Sequence, residues 1–249
     1  MKVLFVLLFC RLARAYPNQE EPQNIIVHTV PEENTPYVVF LSFQDGKSGS
    51  WCTGSMIGNS WVLTASDCSK NPFTVTIYYG SSKRAQGSIS HTVSGGNVIR
   101  NPSDDIALIR TPYVEFSDRI SRVRLPSFSD RDNLYVYRWT TACGWGQNTL
   151  TSTSEDLQCV DALVIPNSQC ARIYDTHTVH GGVLCTRTWR RGSICSGDSG
   201  IPLVTQRNTI LIGVSQSWTA SGCTAGYPAG FTRITSHLDW IRIQTGISY

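Results

Sequence analysis

The chain has 249 residues, 41% hydrophobic and 16% charged, enough apolar material for one large domain or two small ones. Its 21 basic and 18 acidic residues give a formal charge of +3, and Lys2, Arg11 and Arg14 all fall in the opening segment. If that segment is removed the charges balance, which excludes the basic field that nucleic acid or an anionic membrane would need. The opening "MKVLFVLLFCRLARA" places a lysine before an apolar run and small residues at Ala13 and Ala15, predicting a signal peptide over 1–15 and an exported chain. The run from Val3 to Cys10 is too short to span a bilayer, which needs roughly 20 residues, so no membrane span is expected. Residues 16–24, "YPNQEEPQN", read as a polar arm. From there strand-like runs follow one another: "TPYVVFLSF", "SWVLTAS", "FTVTIYYG", "DIALIR", "YRWTTACGWG", "LQCVDALVI", "TILIGVS" and "YPAGFTRI". Each is rich in β-branched and aromatic residues and bounded by Gly, Pro, Ser or Asn, the pattern of an antiparallel sandwich or barrel. Only "TSHLDWIRIQTG" departs from it. Leu238, Ile241 and, more loosely, Trp240 share a helical face, with Ser236 able to cap and Gly246 able to stop a helix over about 236–246.

Nine cysteines are present, and Cys10 lies in the opening segment, which leaves an even set of eight. In an exported chain such a set points to disulfides rather than a metal, and no Cys-x-x-Cys pair suggests zinc. No metal and no cofactor are expected.

"SGDSGIPLV", residues 196–204, sets a serine between two glycines on a tight turn, which can expose a hydroxyl near backbone N–H groups able to stabilise an oxyanion. With "WVLTASDC" at 61–68 and "DDIALIR" at 104–110, in that order, the chain resembles the chymotrypsin-like serine proteases from about Ile25 to its end. "PYVVFLSF", "GNSWVLTAS", "LPSFSDR" and "LDWIR…TGISY" look most like the Jonah group of insect gut proteases. The resemblance implies an all-β fold of two six-stranded antiparallel β-barrels with a C-terminal helix. One peptidase domain would span 25–249, its first barrel about 25–125 and its second about 126–235, with the active site in the cleft between them.

It also implies disulfides Cys52–Cys68, Cys170–Cys185 and Cys195–Cys223. Cys143 and Cys159 remain, on segments that run as neighbouring antiparallel strands in the family. A bond between them is predicted, the alternatives being two free thiols or an intermolecular bridge. The family's nucleophile matches Ser199, its orienting aspartate matches Asp105, and its oxyanion donors match the amides of Gly197 and Ser199. The general base falls on Asp67, which is not a histidine.

That exchange removes the chemistry. Imidazole, with a pKa of about 6.5, can take the serine proton and return it to the leaving amine near neutrality. A carboxylate of pKa about 3.9 is a poor base for an alcohol and rarely an acid at pH 7. Facing Asp105, it should also raise the pKa of one member of the pair. Losing the triad histidine costs on the order of 10⁶ in turnover in a comparable protease. His28, His91, His177, His180 and His237 do not adjoin Asp67 in sequence, and all read as loop, arm or terminal-helix residues, solvated where they lie on loops.

Further departures accompany it. Family zymogens are cut after a basic residue, yet no lysine or arginine lies between Tyr16 and Gln44, although Ile25, Ile26 and Asp198 are in place. Ile201 follows "GDSG" where the family has glycine, and either distorts the turn or packs without harm. Ser193 matches an apolar-selective pocket floor, and Ala229 belongs to the same implied pocket. At its mouth the alignment puts either Trp218 or Thr219 in place of glycine. The leading expectation is therefore a secreted protease homologue, monomeric, in the gut lumen by family resemblance, that binds protein or peptide ligands such as inhibitors or proteases. A weak serine endopeptidase with apolar preference is the alternative, so enzyme status stays open; a scaffold with no cleft function is the third.

Overall fold

The computed structural model describes residues 28–29, 35–68, 71–146, 154–188, 199–216 and 227–249. In chain order, a short β1 (His28–Thr29) precedes β2 (Val38–Gln44), β3 (Gly49–Gly58), β4 (Trp61–Thr64), β5 (Thr74–Tyr79), β6 (Ile89–Ser94), β7 (Val98–Arg100) and β8 (Ala107–Arg110). The last seven pair antiparallel in the order β6-β5-β2-β3-β4-β8-β7. Residue alternation explains the form of this sheet: in β5 Val75, Ile77 and Tyr79 are buried while Thr74, Thr76 and Tyr78 lie half out. Among the described residues this first sheet is a half-barrel, open between β6 and β7.

The second sheet is closed. β9 (Trp139–Gly144), β10 (Gln158–Ile165), β11 (Val183–Thr188), β12 (Pro202–Thr205), β13 (Leu211–Ser215) and β14 (Ala229–Arg233) run in the order β10-β11-β14-β13-β12-β9, and β9 pairs back onto β10. The expected two-barrel, all-β architecture is thus present, one barrel closed with six strands and the other a half-barrel. The split between the halves is less clean than 25–125 against 126–235, because β1 pairs with β10, setting His28 opposite Cys159.

Each quoted strand-like run contains a strand. β3, β6, β7, β11 and β12 also form, drawn into place by their neighbours rather than announced by composition. A helix without a sequence signal, α1 (Asn167–Tyr174), joins β10 to β11, so the C-terminal helix is not the sole departure from β structure. That helix, α2, spans Leu238–Thr245 and follows a 3-10 turn over Ile234–His237, so Ser236 lies in the turn and His237 holds the cap position. Gly246 ends it at φ +73°, its N–H bonded to the Arg242 carbonyl at 2.8 Å. Leu238 and Ile241 are buried in a core shared with Phe40, Met56 and Trp145, so the tail returns onto the first sheet.

Three disulfides tie the described structure. Cys143 and Cys159 sit directly opposite on β9 and β10, their Cα atoms 4.1 Å apart, and are bonded to each other. Cys52–Cys68 and Cys170–Cys185 pair as the resemblance implies. Cys195 and Cys223 lie outside the described residues.

Candidate functional site

The chain leaves β4 into a 3-10 turn, Ser66–Cys68, that carries Asp67. Three contacts pin this turn: the Cys52–Cys68 disulfide to β3, the Ser50 hydroxyl donating to the Cys68 carbonyl at 2.8 Å, and Thr64 Oγ1 lying 3.4 Å from Cys68 Sγ. Asp67 is exposed. Its backbone N–H donates to Asp105 Oδ1 at 2.9 Å, and the Ser66 hydroxyl donates to the same oxygen at 2.9 Å.

Asp105 lies just before β8, and its backbone is fastened to the other barrel. The Thr232 hydroxyl of β14 donates to its carbonyl at 2.7 Å, and Gln216 Nε2 donates to Thr232 Oγ1 at 2.9 Å. The other carboxylate oxygen, Asp105 Oδ2, is buried and has no hydrogen-bond partner among the described residues. Burial pushes the Asp105 carboxyl above the usual carboxylate range; the Asp67 N–H and Ser66 hydroxyl oppose this, and the charge of Asp67 adds to it. The rise expected for one of two facing carboxylates is present, with desolvation rather than repulsion as its main cause.

Ser199 sits half-buried on the turn before β12. Its carbonyl accepts the Thr53 N–H of β3 at 3.2 Å, and the next residue, Gly200, donates to the Ser215 carbonyl of β13 at 3.1 Å. The turn is therefore held by both sheets. Gly200 has φ +83°, and a Cβ there would lie 2.1 Å from the Thr53 carbonyl oxygen and 2.4 Å from Thr64 Oγ1. Only glycine fits. Thr64 Oγ1 donates to the Thr53 carbonyl at 2.8 Å, so the turns of Ser199 and Asp67 are joined through Thr53, Thr64 and the Cys52–Cys68 bridge.

Ile201 resolves in favour of packing. It is 1% exposed, does not have positive φ, and sits in the second-barrel core with Leu203, Val160 and Phe231. Its N–H donates to Ser215 Oγ at 2.9 Å. Room for its side chain comes from Gly144, where a Cβ would lie only 2.2 Å from Ile201 Cδ1. The branched side chain is accommodated, and the turn it follows keeps its anchors.

The histidines correct the sequence reading in part. His91 lies on β6, half-buried against Tyr79, and His237 is buried at 4% exposure. His237 spends both ring nitrogens: Nδ1 is 2.8 Å from the Arg233 carbonyl, and Nε2 is 3.0 Å from Oδ2 of Asp104, the neighbour of Asp105. His180, exposed, approaches Asp104 Oδ1 at 3.7 Å.

Ala229 is buried at the start of β14, opposite Thr186 of β11. Ser193, Gly197, Asp198, Trp218 and Thr219, like Ile25 and Ile26, lie outside the described residues. Among the described residues no three His, Cys, Asp or Glu side chains gather as a metal site. Sequence reasoning missed Thr53, Thr232 and Ser215, which hold the site from beneath. All three are essentially fully buried. Thr53 acts through its backbone N–H and carbonyl, which no side-chain pattern announces, while Thr232 and Ser215 use hydroxyls whose partners lie on other segments.

A trypsin family model matches residues 25–241. The chain is 44% identical to Serine protease 1 of Drosophila melanogaster over 226 residues, covering 88% of this chain and 84% of that protein. It is 38% identical to Collagenase of Hypoderma lineatum over 207 residues, 80% of this chain and 78% of that protein. The solved structure of HL collagenase superposes with a TM-score of 0.83 at 36% identity, covering 89% of this chain and 98% of that one.

Proposed function

Because this chain belongs to the trypsin family, we propose that it is a non-catalytic member, exported from the cell, whose cleft binds protein or peptide ligands without hydrolysing them. One observation carries this. At the place of the general base, Asp67 meets Asp105 through its backbone N–H, beside the Ser66 hydroxyl, and the second Asp105 oxygen is buried with no hydrogen-bond partner among the described residues. An imidazole would serve such an oxygen with one nitrogen and the serine with the other. A carboxylate side chain has no proton to offer the first and too little basicity for the second.

Two features support the same reading. The stretch from Tyr16 to Gln44 contains no lysine or arginine, so tryptic release of an N-terminal isoleucine has no cleavage point. Export is supported by the opening segment and by three disulfides, which persist in oxidising compartments. The phrases that resemble the Jonah group support a gut-lumen setting for this reading, in which inhibitors and proteases are the ligands at hand for a monomeric decoy or regulator.

Purified chain lacking residues 1–15 is incubated with a fluorophosphonate probe beside active trypsin and a Ser199→Ala variant. Negligible labelling is expected. Stoichiometric modification of Ser199 at a trypsin-like rate would overturn the proposal. A slow endopeptidase of apolar preference is the second reading, favoured by the intact anchoring of the Ser199 turn on both sheets. It is identified by slow labelling and peptide cleavage that both disappear in Ser199→Ala.

A further inference from the structure

At the far end of β12 from Ser199, the β12–β13 hairpin and the segment entering β9 enclose a groove of about 550 Å³. A four-residue strand spans ~13 Å, so the groove is separate from the cleft. Its volume lies in the ~300–1,000 Å³ range of small-ligand sites. Tyr137, 67% exposed, and Trp139, 42% exposed, present aromatic surface in its lining. Arg138 and Arg207 are exposed there, and neither has a carboxylate partner among the described residues; Asp130 stands at one rim. Asn208 adds a side-chain amide from the hairpin.

Beneath these lies Tyr135. It is 8% exposed, lines the groove, and its buried hydroxyl has no hydrogen-bond partner among the described residues. Leaving a buried hydroxyl unpaired is costly, so a group that satisfies it is favoured. Burial, aided by the charge of Asp130, pushes the Tyr135 pKa up to about 12, which keeps its proton available for donation at any physiological pH.

We propose that this groove binds an acidic oligosaccharide. Aromatic faces are electron-rich and attract the weakly positive C–H faces of sugar rings. The two guanidinium groups match a carboxylate or sulfate, and the Tyr135 hydroxyl and Asn208 amide suit ring hydroxyls. An acidic peptide is the lesser candidate. β9 pairs on both sides, with β10 and β12, so among the described residues neither edge of this strand is free to bind a peptide backbone.

The test titrates the chain lacking residues 1–15 calorimetrically with a heparin tetrasaccharide and a galacturonate tetramer, with maltotetraose and hexaglutamate alongside. Binding of either acidic saccharide, weakened by salt, with none of maltotetraose or hexaglutamate, is the expected result; the galacturonate arm tells whether carboxylates suffice without sulfate. Arg138→Ala and Arg207→Ala should each weaken binding about tenfold, and Tyr137→Ala several-fold. Tyr135→Phe should weaken it about fivefold while leaving the melting temperature unchanged or raised, an outcome that a purely structural tyrosine would not give. Failure of both acidic saccharides to bind at millimolar concentration, affinities indifferent to all four substitutions, or tighter binding of hexaglutamate would each overturn the assignment.

Discussion

Replacing Gly144 by alanine tests whether the side chain of Ile201 is seated where the structure puts it. The new Cβ would lie 2.2 Å from Ile201 Cδ1 and 2.4 Å from its Cγ1, closer than carbon atoms approach, with Thr53 Oγ1 at 3.2 Å behind. Ile201 is 1% exposed and cannot swing into solvent, so the core must shift. Overpacking of this kind costs about 1–3 kcal/mol. Ile201→Ala alone should cost about 2–5 kcal/mol, the usual range for a large-to-small core change. In the double variant the truncated residue 201 leaves room for the new methyl, and the Gly144→Ala penalty should largely vanish. The double-mutant cycle should therefore show a coupling of about 1–3 kcal/mol. Urea unfolding with the disulfides intact measures all four proteins, through midpoint shifts at constant slope. If the two costs add to within about 0.5 kcal/mol, the residues do not share space. Ile201 would then again be a candidate cause of distortion at the Ser199 turn.

Gly200→Ala places a Cβ 2.1 Å from a backbone carbonyl at φ +83° and should cost about 2–5 kcal/mol in the same assay; a loss below about 1 kcal/mol would contradict the backbone of the Ser199 turn. Asp105 has a folded-state pKa raised by burial, so the folded chain holds its proton more tightly than the unfolded one, whose carboxyl titrates at about 3.9. The penalty is absent below that pH and grows as pH rises toward the folded value. The melting temperature of Asp105→Asn minus that of the parent should accordingly increase from pH 4 upward and then level off. A difference that is flat or falls with pH would show that burial does not destabilise this carboxylate. Asp67→His restores a base, and fluorophosphonate labelling of Ser199 should rise by at least about tenfold, a small part of the on the order of 10⁶ at stake. It should stay below that of a processed family protease, since no basic residue lies between Tyr16 and Ile25; full activity without processing would remove the activation defect from the account.

Alternation and punctuation carried much of the fold. Runs such as "FTVTIYYG" alternate because one face must be dry, and β5 lies inside that run. β12, four residues led by proline, has no such signature and exists because β9 and β13 flank it. α1 was equally silent, since "NSQCARIY" carries only one buried residue, Cys170. Asp67, Asp105 and Ser199 were singled out from motif order, and the structure joins Asp67 to Asp105 and fastens the Ser199 turn to Thr53. Their supports Thr53, Thr232 and Ser215 were not legible, because a threonine in a strand looks the same whether it faces water or a buried carbonyl.

The amino-acid sequence by itself determined that residue 67 carries a carboxylate rather than an imidazole, because side-chain identity sets basicity wherever the chain goes. It also determined which residues could be cross-linked and that no lysine or arginine lies between Tyr16 and Gln44. Only the tertiary structure decided that Ile201 is harmless, because its partner Gly144 lies on another strand and the space between them is shared by folding alone. The same holds for Asp105, whose raised pKa comes from the neighbours that cover it, and no local stretch of sequence contains those neighbours.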